Sequence, residues 1–330
     1  MSDVRVLSCH AEYRCRHAGA CCTSNWPIPV EADRLGQLQA AIATRRLQPA
    51  GDASRAIQFP IGAPADSPAV LGRTLGMCAF HDLSVLSGGR CRIHAAVGHE
   101  ALPLACRQFP RISVHDPRGV SVTLSHYCPT AAALLDAGGG APLTIAGGGA
   151  AFPATGEYVG LDARDALPPL LRRDMLMDWA AWWECERLAV AALDGDADVS
   201  VAIARLRSAV ADLETWSPAD GPLIDRVRTA FSEGPPAGAS VDSVRTSRLV
   251  DAVFAAIPAD IRPRRFAAVP QPSDLAIRRF LAAHAFANWR VHSRDGIAGW
   301  LRSIESASAL IEAGAGVRHA DLLLRHLVQN

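Results

Sequence analysis

The chain has no lysine: all 33 of its strongly basic residues are arginines, and 33 carboxylates balance them. That absence excludes Schiff-base chemistry on the chain's own side-chain amines. The balanced charge removes any general electrostatic pull toward nucleic acid or anionic lipid. With 26 glycines, 22 prolines and abundant alanine, the arginine bias reads as the mark of a GC-rich genome rather than a binding adaptation. No stretch approaches the roughly 18 uninterrupted apolar residues of a membrane span. The start, MSDVRVLSCHAEYRC, lacks the basic-then-apolar order of a signal peptide. The expectation is a cytoplasmic protein with neither a membrane nor nucleic acid as partner. Also missing are a P-loop, a nucleophile elbow and a glycine-rich loop set between a strand and a helix. Phosphate cradling, serine hydrolysis and dinucleotide-type methyl transfer therefore have no motif to rest on.

Cysteine, by contrast, is plentiful. Nine cysteines in a compartment that keeps thiols reduced point to ligation rather than to disulfides. Seven of them, Cys15, Cys21, Cys22, Cys78, Cys91, Cys106 and Cys128, precede residue 130, whereas most helical periodicity follows it. This asymmetry divides the chain into a cysteine-cluster metal-binding domain over 1–137, a Gly-rich linker over 138–160 and an α-helical domain over 161–330. The fold class expected is mainly α: an irregular cysteine-rich N-terminal domain with a small β-hairpin, then helices. Cys9 and Cys185 lack partners at recognisable spacing and read as small core hydrophobes.

Within the first part, EADRLGQLQAAIATRRLQP carries Leu35, Leu38 and Ile42 on one helical face. RISVHDPRGVSVTLSH alternates apolar and polar residues on both sides of Asp116-Pro117-Arg118-Gly119 and predicts a β-hairpin. Its closure would return Cys106 and Cys128 toward one another. PTAAALLDAGG reads as a short helix opened by proline. Beyond residue 160, ALPPLLRRDMLMDWAAWWECERLAVAALDG reads as one long helix through Leu171, Met175, Trp179 and Trp182, and further apolar periodicities bring the helix count to six or seven. Glu184, Glu186, Asp174 and Asp178 read as solvated helix faces, and Trp179, Trp182 and Trp183 as core. His10, His17, His81, His94, His99 and His126 read as loop or surface residues, with His94 the best placed to ligate.

Thiolates bind zinc or iron–sulfur clusters. The Cys-x-x-Cys spacing of structural zinc knuckles does not occur here. Cys21 and Cys22 are adjacent, and neighbouring side chains of an extended chain point apart, so either they serve different metal atoms, as a polynuclear cluster or two sites would allow, or only one of them ligates. Four thiolates complete such a cluster, and three leave an iron open. Arg107 and Arg111, flanking the CRQFPR element, are candidates to offset cluster charge or to bind an anionic cosubstrate group.

Cys15, Gly19, Cys21 and Cys22, then Cys78-Ala-Phe-His-Asp, Gly89-Arg-Cys91-Arg-Ile-His94, Cys106-Arg-Gln-Phe-Pro-Arg111 and Cys128-Pro129 resemble the YkgJ-type cysteine-cluster family, described as zinc- or iron-chelating. Trp26 after the double cysteine, the Cys106-x-x-Phe109-Pro110-Arg111-Ile112 run and the Cys-Pro opening a helix are also similar to the flagellin lysine-N-methylase family. The resemblance covers about residues 9–136. It implies a metal set drawn from the seven clustered cysteines, a 4Fe-4S iron–sulfur cluster ahead of zinc, S-adenosylmethionine as methyl donor, and a protein such as flagellin as substrate. A non-catalytic zinc- or iron-chelating module is the alternative. Two departures stand out: Ala18 occupies a position where the commoner pattern has cysteine, and Ala133 stands near the place of the usual arginine. Oligomeric state is left open.

Overall fold

The computed structural model describes residues 3–24, 26–82, 90–195, 198–234, 243–259 and 271–328; Gly89 of the Gly-Arg-Cys motif lies outside them. The chain is mainly α, 48% helix and 13% strand. Among the described residues no helix is long and apolar enough to cross a membrane.

Two compact units form, and they divide the chain differently from the expected 1–137, 138–160 and 161–330. The larger holds Met1–Tyr13, Arg111–Tyr127 and Ala131–Asn330; the smaller holds Arg14–Pro110 and Cys128–Thr130. The reason is strand pairing. In the larger unit β1 (Val4–Leu7), β2 (Arg111–Asp116), β3 (Gly119–Leu124), β4 (Ile145–Gly147) and β5 (Gly160–Asp162) make one sheet ordered β5-β2-β3-β1-β4. The expected hairpin is β2–β3, in register from Arg111 opposite Leu124 to Asp116 opposite Gly119. Parallel pairing of β1 with β3 recruits the N-terminus to this sheet. β4 lies within the segment read as linker and β5 begins at its last residue, so 138–160 is threaded into the sheet. Its first glycine triplet wraps a buried cation: Arg279 donates to the carbonyls of Leu135 (3.1 Å), Gly139 (2.8 Å) and Ala141 (3.2 Å), and also to that of Ala137.

Seven α-helices follow residue 160 among the described residues, the first of them Trp179–Asp194. The helix expected over Leu171 and Met175 starts later than that. Leu170–Arg172 and Met175–Leu176 pair as a short antiparallel ribbon after Pro168-Pro169, and the Asp178 carboxylate accepts the Ala181 N–H at 2.7 Å to cap the helix. Trp182 and Trp300 meet edge to face at 5.5 Å in the core of this unit, with Cys185 fully buried beside them and Cys9 packed at its margin. Glu186 is no solvated face residue. It is buried, 3.0 Å from Arg118 and accepting the Ala287 N–H at 3.0 Å.

The smaller unit carries a three-stranded antiparallel sheet of Pro29–Val30, Ala69–Leu71 and Ile57–Gln58, with the helix Ala32–Ala43 beside it in sequence. That helix starts one residue later than expected, with Glu31 at its N-cap. Its core gathers Val30, Leu38, Leu71, Phe80 and Ile93 with Cys22 and Cys78; Cys21, Cys91, Cys106 and Trp26 pack against it.

Candidate metal centre

Gly19 opens the site. Its left-handed backbone (φ 73°), a conformation glycine adopts without steric cost, turns the chain into the one-turn helix Ala20–Thr23. In a helix of 3.6 residues per turn, successive side chains diverge by about 100° instead of opposing each other. The sulfurs of Cys21 and Cys22 accordingly lie 4.0 Å apart. The inference that adjacent cysteines must serve opposite sides held only for an extended chain, and this turn removes it.

Cys78 ends the strand Met77–Cys78, which pairs with Arg73–Thr74. Cys91 reaches it through local backbone bonds. His81 and Cys91 form an isolated antiparallel bridge, the Arg92 N–H donates to the Phe80 carbonyl at 2.8 Å, and the His81 N–H to the Cys78 carbonyl at 2.9 Å. Cys22 is central to the group: its sulfur lies 4.0 Å from that of Cys21, and Cys78 and Cys91 are near enough to act on its proton. Cys106, on the helix Leu104–Gln108, lies within electrostatic reach of Cys21, Cys91, Cys78 and Glu31. The Glu31 carboxylate is itself held by the Leu104 N–H at 3.1 Å. Trp26 and Phe109, two aromatic residues of the motif, pack with ring centroids 5.9 Å apart.

Burial alone raises a thiol's pKa, yet here the neighbours redistribute the protons. Sharing its proton with three sulfurs holds the Cys22 thiol far above the usual range. The hydrogen bond from Cys22 brings the Cys21 and Cys78 thiols below it, and that of Cys91 down to about 7. Backbone N–H groups assist, from Phe80 to Cys78 and from Ile93 and His94 to Cys91. Burial, then the charge of the neighbouring sulfurs, keeps the Cys106 thiol well up. One thiol has one hydrogen to donate, so a proton on Cys22 answers one neighbouring sulfur at a time, and thiols grouped this closely are donors of the kind that soft metals take.

The remaining expected ligands lie in the same unit. Cys15 is exposed, its sulfur accepting the His17 N–H at 3.4 Å, and Cys128 is buried. His17, His94 and His99 form a string of rings with centroids 4.9 and 5.7 Å apart. Burial pushes the His94 imidazole down, and its two histidine neighbours add to that. His81 is 8% exposed, and neither of its ring nitrogens has a hydrogen-bond partner among the described residues. Among the described residues no three His, Cys, Asp or Glu side chains stand in an arrangement that would hold a single metal ion. Of the two candidate anion ligands, Arg107 stays in this unit and donates to the Glu100 carbonyl at 3.4 Å. Arg111 belongs to the larger unit, where its guanidinium lies 5.6 Å from the centre of the Phe152 ring.

The larger unit holds a second polar cluster that sequence reading missed. His10 and His126, expected at the surface, are fully buried, with their Nε2 atoms 3.0 Å apart. Ser125 Oγ lies 2.6 Å from Asp321 Oδ2 and 2.7 Å from His326 Nε2. This has the membership of a serine–histidine–aspartate triad but not its wiring. A carboxylate only accepts, so the single Ser125 hydrogen goes to Asp321 and His326 Nε2 must donate to Ser125. The histidine is then no base toward that serine. No motif spacing could have disclosed the cluster, because Ser125 and His326 are 201 residues apart.

Comparison with known protein families, with curated proteins and with solved structures returns no match.

Proposed function

We propose that the protein binds a metal centre through the clustered thiolates of its smaller unit. Cys21, Cys22, Cys78 and Cys91 would be the principal ligands, and Cys106, Cys15 and Cys128 the surplus from which a larger centre is completed. What carries the reading is the grouping of thiols about one small core: Cys22 and Cys78 lie in it, Cys21, Cys91 and Cys106 pack against it, and the Cys21 and Cys22 sulfurs are 4.0 Å apart. The donor set fits the group: soft sulfur ligands, backed by backbone N–H groups, suit zinc or an iron–sulfur cluster and not calcium or magnesium. Seven cysteines exceed the four ligands of a single zinc ion and of a fully cysteine-ligated cluster alike; the motif resemblance is what favours an iron–sulfur centre. Zinc is the second reading. The 4.0 Å between Cys21 and Cys22 sulfurs is close to the roughly 3.8 Å edge of a sulfur tetrahedron around zinc.

The finer reading is S-adenosylmethionine-dependent methyl transfer to lysines of a partner protein such as flagellin, and it rests on the motif resemblance. Arg107, next to Cys106, is the residue this reading uses to offset the charge of the centre. The irregular cysteine-rich metal domain of the expected fold belongs to the same proposal, with a non-catalytic chelating module as its alternative.

Anaerobic purification followed by metal and sulfide analysis tests the metal reading. A brown protein with iron and acid-labile sulfide supports a cluster, and a colourless one with about one zinc per chain supports the second reading. Cys22→Ser should lose most of the metal, whereas Cys185→Ala, altered in the other unit, should retain it. Equal metal in both variants, or none in the parent protein, refutes the proposal.

A further inference from the structure

Three imidazoles from three separate stretches of the smaller unit come together at its surface. His17 follows Cys15 and holds a left-handed backbone (φ 54°). His94 sits on the short helix Arg92–Ala96, and His99 opens the turn His99–Ala101. Gly98, at φ 109°, turns the chain between these two, its N–H donating to the Ile93 carbonyl at 3.2 Å. It is the backbone nitrogen of His94 that meets the Cys91 thiol, which leaves the His94 ring to the other two histidines.

His17 and His99 are exposed and His94 is half-buried, so solvent reaches the group. Among the described residues no ring nitrogen of the three has a hydrogen-bond partner. The ring centres lie 4.9 Å apart for His17 and His94 and 5.7 Å apart for His94 and His99. Two imidazoles on one tetrahedral ion, with metal–nitrogen distances of about 2.0–2.1 Å, have ring centres about 5.2 Å apart. The rings therefore stand near ligating separation. Their nitrogens do not yet close on one point, and the adjustment that remains is rotation of side chains that no hydrogen bond holds.

We propose that His17, His94 and His99 bind one divalent transition-metal ion, of the nickel-to-zinc class that imidazole suits, at a site separate from the thiol centre. Three protein ligands leave a fourth position on the ion for water or an exchangeable ligand. Calcium and magnesium, which take oxygen donors, are not served by this set. The inference does not depend on what the thiols bind.

Titration of the anaerobically purified full chain with cobalt(II), followed by visible absorption and proton NMR, tests it. Cobalt on thiolates shows an intense sulfur-to-metal charge-transfer band, whereas cobalt on imidazoles lacks that band and strongly shifts the ring protons of each histidine it binds. The expected result is one equivalent of the second kind, with three shifted rings, displaced by zinc. It should persist in Cys22→Ser. His94→Ala should weaken it about tenfold or more, with the metal-free melting temperature showing that the variant folds. The pair His17→Ala and His99→Ala, which alters exposed side chains only, should abolish it. A parent chain that binds cobalt in this way alone would count against the thiol centre and for this site. The proposal is overturned if no imidazole-bound equivalent saturates by about 1 mM cobalt, if both histidine variants bind it undiminished, or if a folded Cys22→Ser chain loses it.

Discussion

A protein whose one strong cation is arginine can place that cation indoors. Arg118 with Glu186, Arg279 with Asp194 and Arg325 with Asp321 each join a guanidinium at most 16% exposed to a carboxylate at most 9% exposed. The planar, less tightly hydrated guanidinium tolerates such sites better than an ammonium would. Removing one partner leaves the other charge stranded, at a cost of about 3–5 kcal/mol for a buried pair. Glu186→Ala should therefore lower the denaturant midpoint strongly, while Glu186→Gln, which keeps an acceptor for the Ala287 N–H, should lower it less. Equal and small losses would show that Arg118 is adequately held by Asp116 alone. Single residues were the least legible level of the sequence. Glu186 looks like any helix-face carboxylate, and only Arg118, 68 positions away, reveals its burial. His10 and His126 were misread for the same reason.

Elements were legible where turn chemistry or period is local. The hairpin appears around Asp116-Pro117-Arg118-Gly119, and the short helix opened by Pro129 appears at Pro129–Ala133. The long helix was placed too early because Leu171 and Met175 continue its period, while two prolines and an aspartate cap decide the boundary. The glycine triplets invited a linker reading, since nothing local announces that Arg279 binds the first of them or that β4 and β5 pair with distant strands. Gly119 tests how far the sheet depends on close approach. Its φ is +119°, and a Cβ there would sit 2.5 Å from the Asp3 carbonyl oxygen. Gly119→Ala should destabilise the larger unit by more than about 1 kcal/mol and speed amide exchange across Val4–Leu7. Unchanged exchange in β1 would mean that the β1–β3 pairing bears little on the stability of the sheet.

For the whole molecule, buried imidazoles set the acid limit. Burial, then the Arg325 charge, brings the His284 pKa down to about 4 from a model-compound value of 6.5. Burial likewise pushes His10 and His126 down; His126 and Arg325 add to this at His10, while Asp321 opposes it at both. The unfolded chain thus binds protons on these rings that the folded chain does not. Their contribution is complete above pH 6.5 and is lost as pH falls from there toward 4. Melting temperature should drop across that window, and a flat profile would contradict the burial of the cluster. The two-part organisation was half legible: cysteine density located the thiol-rich unit, but the sheet that gathers residues 3–7 and 111–162 rests on non-local pairing that composition does not report.

The most direct measurement of the central claim is X-ray absorption at the metal edge on anaerobically purified protein. The account predicts a dominant sulfur shell at about 2.3 Å, supplied by about four thiolates and lost in Cys22→Ser. A shell of nitrogen and oxygen ligands, or a metal-free sample, would contradict it.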